Sequence, residues 1–131
     1  SACVEMVASK DAQPITDLKL HPEHQCTLAA AGDKIIKMHS DTLQIIDTIQ
    51  MPKGMTFEKE GGVSLSPDGT RIMAGASDLD LREFDAQTGS VLRTLKGHHG
   101  PIRCVQYHPL GSIVASGSED ATIRMWGLQE E

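Results

Sequence analysis

Aromatic side chains are scarce in this sequence. The 131 residues contain only Phe57, Phe84, Tyr107 and Trp126. Any core must therefore rest on Leu, Ile, Val, Met and Ala. No apolar run approaches the roughly 18 residues that a membrane-crossing helix needs, and no secretory signal pattern opens the chain. The cytoplasm, with the nucleus as a second compartment, is the expected location. Cysteine is limited to Cys3, Cys26 and Cys104, an odd number without metal-type spacing. Cys26 and Cys104 lie in apolar, strand-like runs and are expected as buried thiols in a reducing compartment. A basic excess is also missing. Twelve Lys and Arg against 18 Asp and Glu leave a net charge of -6, which argues against direct nucleic-acid binding. No stretch combines a 3.6-residue period with capping residues, so no helix of consequence is expected. Gly54, Gly61 and Gly62 are not followed by the Lys-Ser/Thr of a phosphate loop. The six histidines make no tetrahedral set: His21 and His24 share a turn, His98 and His99 are adjacent, and Cys104 and His108 straddle a strand end. No cofactor, metal or nucleotide is expected.

What is present is a period. Pro22, Pro67 and Pro109 are 45 and 42 residues apart. Each sits in a tight turn after a short alternating segment: Thr16–His21, Gly62–Ser66 and Ile102–His108. The turns read HPEH, SPDG and HPLG. Asp68-Gly69 is the best formed, because glycine accepts the left-handed backbone of a tight hairpin. Runs of small and branched residues follow at Cys26–Ala31, Arg71–Ala76 and Ser112–Gly117 and read as second strands. Third strands are expected at Lys34–His39, Asp80–Asp85 and Ala121–Trp126. Fourth, outer strands are expected at Leu43–Gln50 and Ser90–Lys96. The Pro- and Gly-containing stretch Gln50–Gly61 reads as a loop.

The most specific stretch is GHHGPIRCVQYHPLGSIVASGSEDATIRMW, residues 97–126. Its Gly-His opening, Ser-Gly-Ser-Glu-Asp corner and terminal Trp fall at the spacing of the WD40 repeat signature. Residues 14–126 as a whole resemble WD40 repeat proteins. That resemblance implies an all-β chain of WD40-type β-propeller blades, about three per chain, in a partial ring. Residues 1–8 are then expected as an outer strand of an adjoining blade and 9–50 as a first degenerate repeat. Residues 51–61 form a loop, 62–96 a second degenerate repeat, and 97–131 a third repeat lacking its outer strand. His98, Ser116, Asp120 and Trp126 match the structural hydrogen-bond network of such blades, although His99 also fits the imidazole position. In the degenerate repeats Phe84 and His39 stand at the Trp position. A Ser-His-Asp set invites a hydrolase reading, but there is no G-x-S-x-G elbow and the serine sits within a strand. The chain is expected not to be an enzyme.

Three blades cannot close a ring, since natural rings use about four to eight. Either the remaining blades lie elsewhere, or two copies form a six-bladed homodimer. In the second case the edge Cys3, Val4, Glu5, Met6 and Val7 of one copy would pair with the Ile123 and Met125 edge of the other. Surface recognition is the remaining role, with Lys19, His21 and Arg103 as candidate partner-rim positions. Arg82 and Arg124 occupy matching third-strand positions and are expected to pair with acids in adjacent strands. More narrowly, LRTLKGHHGPIRCVQYHPLG and the preceding LSPDGTRIMAGASDLDLREFDAQTG are similar to a seven-bladed, non-catalytic scaffold subgroup of the family. That subgroup is linked to receptor signalling and to the complex that loads Sm proteins onto small nuclear RNAs. The resemblance implies protein partners, a ribonucleoprotein-assembly complex among them, and a role in RNA processing. No membrane partner is expected.

Overall fold

A computed structural model describes residues 3, 5, 13–57 and 60–128. Eleven strands and one short 3-10 turn account for the regular structure among them. The first sheet contains β1 (Ile15–His21), β2 (Cys26–Ala31), β3 (Lys34–His39) and β4 (Ile45–Gln50), in that spatial order. The second contains β5 (Gly62–Leu65), β6 (Arg71–Gly75), β7 (Leu81–Asp85) and β8 (Val91–Leu95). The third has β9 (Ile102–Tyr107), β10 (Ile113–Ser118) and β11 (Ile123–Gly127). All pairings are antiparallel and sequential. The chain is thus all-β, a series of three propeller-type blades that does not close on itself.

The turns behave as their residues dictate. In the Ser-Pro-Asp-Gly turn, Asp68 Oδ1 accepts the hydroxyls of Ser66 and Thr70 at 2.7 Å each and the Thr70 N–H at 3.0 Å. These donors, that of Ser66 foremost, pull the Asp68 carboxyl down to about 2. Gly69 follows at φ +77°, where an L side chain would be strained.

The sheets stack face to face. One apolar cluster joins Leu28, Ala30, Ile35 and Ile49 of the first sheet to Val63, Leu65, Ile72, Ala74 and Phe84 of the second. Another joins Met73 and Leu81 of the second sheet to Ile102, Val105, Tyr107 and Val114 of the third. Close approach needs small residues: a Cβ on Gly75 would lie 2.6 Å from Ile102. The innermost strands add a polar seam. A sheet-edge N–H that is buried needs an acceptor, and side chains of the preceding sheet supply it. Asp17 Oδ2 accepts from Val63 N at 3.0 Å, His21 Nε2 from Leu65 N at 3.3 Å, and Ser64 Oγ from Tyr107 N at 2.9 Å.

Several expectations need correction. The described residues of the 51–61 stretch are irregular, but several of them are core: Met51, Met55 and Phe57 are buried, and Phe57 bridges to Gly32. Cys104 is exposed rather than buried. A bulge skips Arg103, so that Gly117 pairs with Cys104 and Ser118 with Ile102. This turns Ile102, Val105 and Tyr107 toward the second sheet and Cys104 away from it. Register also moves the Trp position of the first sheet. Thr27 pairs with Met38, as Ile72 does with Phe84 and Val114 with Trp126. Met38, not His39, is the counterpart of the tryptophan. Cys3 and Glu5 are exposed and lie outside any strand; Val4, Met6 and Val7 lie outside the described residues.

Phe57 is fully buried between the first two sheets. Phe57→Ala should therefore lower stability by about 3–5 kcal/mol. A urea midpoint unchanged by this substitution would mean that the loop is not part of the core.

Candidate functional site

The densest polar constellation spans the segment before β9, the strand β10 and the β10–β11 turn. Trp126 Nε1–H donates to Ser116 Oγ at 2.8 Å. The Ser116 hydroxyl is 2.7 Å from His98 Nε2, and His98 Nδ1 is 2.9 Å from Asp120 Oδ2. Only one proton arrangement satisfies every member. The indole donates to the serine oxygen, the serine hydroxyl donates to Nε2, and Nδ1–H donates to the carboxylate. His98 is thereby a neutral imidazole bonded at both nitrogens. The Asp120 carboxylate is held further. It accepts the Thr122 N–H at 2.8 Å, the Thr122 hydroxyl, and the His99 N–H at 2.9 Å. These donors, the Thr122 hydroxyl foremost, keep the Asp120 carboxyl far below the ordinary carboxylate range. The His98 and Trp126 rings meet edge to face with centroids 6.1 Å apart.

The distances are those of a Ser-His-Asp triad, but the surroundings are not. Ser116 is buried and spends its oxygen on the indole of Trp126 and its proton on His98. A nucleophile needs an open approach to the reacting carbon. The arrangement instead ties β10, β11 and the entering segment 97–101 together. His99 shares only its backbone N–H with the network. Thr122 and Ser118 complete it; Ser118 Oγ donates toward the Gly100 and Pro101 carbonyls, at 2.9 and 3.0 Å. An Asp-Ala-Thr turn offers the Thr122 contribution in the sequence, since the hydroxyl two residues after an Asp is within its reach.

A second polar junction has no sequence signal. Glu83 is fully buried on β7, where Tyr107 donates to its Oε2 at 2.8 Å. Its Oε1 faces Arg93 Nε at 3.0 Å and Arg71 Nη1 at 3.9 Å as charge pairs without an aligned hydrogen bond. Burial, then the bond to Glu83, pushes the Tyr107 hydroxyl far above its usual range. This group joins the second sheet to the third, as the inner-strand seam does.

The candidate rim residues separate. Lys19 and His21 are half-buried on the face of β1 that meets the second sheet. Lys19 Nζ donates to the Val105 carbonyl at 3.0 Å and pairs with Asp17 at 3.5 Å. His21 is the acceptor of the Leu65 N–H. Burial, with the His24 and Lys19 charges, pushes the His21 imidazole below its ordinary value and keeps Nε2 available for that bond. These two therefore hold sheets together and are not the exposed rim they were read as. The alternation ran the other way, with Leu18 and Leu20 outward. Arg103 is exposed at the opposite rim, paired with Glu119 and with Glu60 Oε2 at 3.3 Å. Arg82 pairs with Asp78 and Asp80 of its own hairpin rather than an adjacent strand. Arg124 Nε is buried without a hydrogen bond. Ile123 and Met125 are exposed, and β11 has no outer partner strand among the described residues. Among those residues no group of three or more His, Cys, Asp or Glu is placed to hold a metal ion.

The network and the stacked sheets agree with a family model described as WD domain, G-beta repeat, which matches residues 89–127. The chain contains a WD40-repeat domain, and its three sheets resemble propeller blades of that family. It is 34% identical over 126 residues to the serine-threonine kinase receptor-associated protein of Gallus gallus, a match covering 96% of this chain and 35% of that protein. To the Dictyostelium discoideum protein of the same name it is 30% identical over 112 residues, covering 86% and 36%. It is 37% identical over 67 residues to the periodic tryptophan protein 2 homolog of Schizosaccharomyces pombe, covering 50% and 8%. The chain thus spans about a third of the length of the receptor-associated proteins it matches.

Two tests address the WD40 network. Ser116→Ala leaves the Trp126 N–H without its acceptor and His98 Nε2 without its donor. It should cost about 1–3 kcal/mol, read from urea midpoints; a neutral result would remove Ser116 as the hub. For Asp120, the folded carboxyl lies below its unfolded value. Its stabilisation is therefore complete above the ordinary carboxylate range and is lost as pH falls through that range and below. Asp120→Asn should flatten that part of the acid dependence, and parallel curves for the two proteins would contradict the assignment.

Proposed function

We propose that this chain is part of a β-propeller acting as a non-catalytic protein-interaction scaffold. The observation that carries this reading is the use made of its polar side chains. The Ser-His-Asp-Trp set and the Glu83 group are buried or half-buried and consumed in holding strands and sheets together. What is left for recognition is the display of loops on rigid sheets. At one rim the described residues of the loop 51–61, the segment 96–101 and the turns after β6 and β10 gather charge, with Arg103 between Glu60 and Glu119. We place the partner contact at this rim, in the cytoplasm and also the nucleus. By similarity to the receptor-associated subgroup, the partner is a protein of the complex that loads Sm proteins onto small nuclear RNAs.

Biolayer interferometry of the purified chain against that purified complex tests the partner. Binding is expected to fall at least tenfold in Arg103→Glu, with the far-UV spectrum of the folded chain retained because Arg103 is exposed. Absence of binding would sink the partner assignment. Ester or peptide hydrolysis lost in Ser116→Ala would sink the scaffold reading itself. A second reading, self-assembly by strand exchange through residues 1–8, is favoured by the open edge of β11. It predicts that deleting those residues abolishes the dimer.

A further inference from the structure

The two junctions between sheets can be compared position by position, and they differ at their outer edge. Two residues beyond the tryptophan position stand Ala86 in the second sheet and Leu128 in the third. Their backbones are held alike. The Ala86 N–H donates to the Thr70 carbonyl at 3.0 Å, and the Leu128 N–H donates to the Ser112 carbonyl at 2.8 Å. Thr70 and Ser112 are themselves equivalent, each following its turn proline by the same interval. Leu128 is 4% exposed and belongs to the cluster between the second and third sheets. Ala86 takes the same place between the first and second sheets, with only a methyl group to fill it. A cleft of about 420 Å³ lies beside it. Lys37, Ile46 and Asp47 of the first sheet line one side, and Thr70, Asp85 and Ala86 of the second line the other.

Both walls of this cleft are sheets of the chain itself. A further sheet stacks on an end face of the series, not between two sheets already in contact. The polar groups also differ between the junctions. Lys37 pairs across its strands with Asp47 as Glu83 does with Arg93, with the charges exchanged. At the second junction Arg93 Nε is 3.0 Å from Glu83 Oε1, and Arg93 Nη1 donates to the Leu128 carbonyl at 3.5 Å. At the first, Lys37 and Asp47 make no ion pair among the described residues. Asp47 Oδ1 accepts the Thr48 N–H at 2.8 Å. Lys37 is half-buried and Asp47 exposed. A ligand that covers Lys37 must offer it a carboxylate, because an ammonium group removed from water without a partner is costly. Asp47 stands where Arg93 meets main chain, and as an acceptor it suits a main-chain N–H.

We infer that this cleft docks an extended segment of a partner protein, with one Leu, Ile or Met side chain against Ala86 and Ile46 and an acidic residue beside it facing Lys37. Leu128 is the template, since the second junction holds within the chain the aliphatic group that the first lacks. Extended segments are commonly recognised in this way, with main-chain bonds for affinity and a side-chain pocket for specificity. The cleft is separate from the Arg103 rim. Thr70 precedes the start of β6, whereas Ile102, next to Arg103, bonds to Ala76 beyond the end of that strand. The inference rests on the scaffold reading, but not on the partner or the rim proposed with it.

The whole chain is panned with a phage library of random linear peptides, and phage that also bind Ala86→Leu are removed. The enriched sequences should share an aliphatic residue with Asp or Glu beside it. A synthetic peptide of that consensus should bind Ala86→Leu more weakly by about tenfold or more in calorimetric titration. The melting temperature of this variant should not fall, because the new side chain fills the place that Leu128 fills at the other junction. Lys37→Glu leaves the hollow intact. It should lose the acidic peptide and gain the same peptide with its acid changed to lysine. Misfolding would not produce that exchange, so it decides the matter even where Ala86→Leu fails to fold. Arg103→Glu should leave the peptide affinity unchanged, so the cleft and the rim fail separately. Absence of an enriched consensus, a consensus without an acid, or no exchange in Lys37→Glu would each overturn the inference. A solution mass of the chain alone that drops in Ala86→Leu would make the occupant a second copy and overturn it too.

Discussion

The junction between successive sheets governs this molecule, because a sheet with apolar side chains on both pleat faces cannot bury them by itself. Each junction combines two terms. Non-directional burial supplies the larger share: Leu28, Ile35, Ile72 and Phe84 at the first junction, Met73, Leu81, Ile102 and Val105 at the second. A seam of side-chain acceptors along the innermost strands then fixes the register. Asp17, His21 and Ser64 accept edge N–H groups that apolar packing alone would leave unpaired. Packing tolerates small slides, whereas the seam does not, since a shift of one residue would present a carbonyl to an acceptor.

The hydrogen-bond network of the third sheet solves a different problem. It joins strands within one blade, where the first and second sheets manage with apolar side chains. At the tryptophan position the first sheet has Met38 and the second Phe84, neither of which can donate a hydrogen bond. At the serine position they have Ala29 and Ala74, pairing with Ile36 and Arg82 as Ser116 pairs with Arg124. Donor and acceptor are thus lost together. Replacing both partners of a buried bond by apolar groups is nearly neutral, whereas replacing one is costly. The degenerate sheets follow the first route, which is why their departure from the signature leaves the stack intact.

Much of this was legible from the chain. Three turn prolines at near-constant spacing, each followed by a run of small residues, mark the strand order, and the Gly-His to Trp stretch identifies the residues that the third sheet brings together. The errors share one physical origin. Alternation tells which residues share a face, but not which face meets a neighbour. Lys19 and His21 looked like solvent positions because they are polar, yet they serve the seam while Leu18 and Leu20 point outward. At Cys104 the alternation itself fails, because the bulge at Arg103 resets it, and no residue type there announces a bulge. Glu83 was hidden for the opposite reason. In sequence it is an ordinary hairpin acid, and only the approach of Tyr107 and Arg93 from other strands makes its burial tolerable.

The same logic explains why the two ends of the stack differ in kind. At the first sheet the outward face keeps Ala29, Ile36 and Met38 covered and leaves only its inner strand open. At the third sheet the open face runs across all three strands, from Gln106 to Met125. At the third-strand position equivalent to Met125 the first sheet has Lys37 and the second the buried, partnered Glu83. In the third sheet the position carries an uncharged thioether, next to an isoleucine whose equivalents are fully buried. Against a net charge of -6 distributed over the rest of the chain, this uncharged face is what water-driven association would bury first. The register thus puts Ile123 at the position that Ile35 and Leu81 fill inside the two junctions the chain forms.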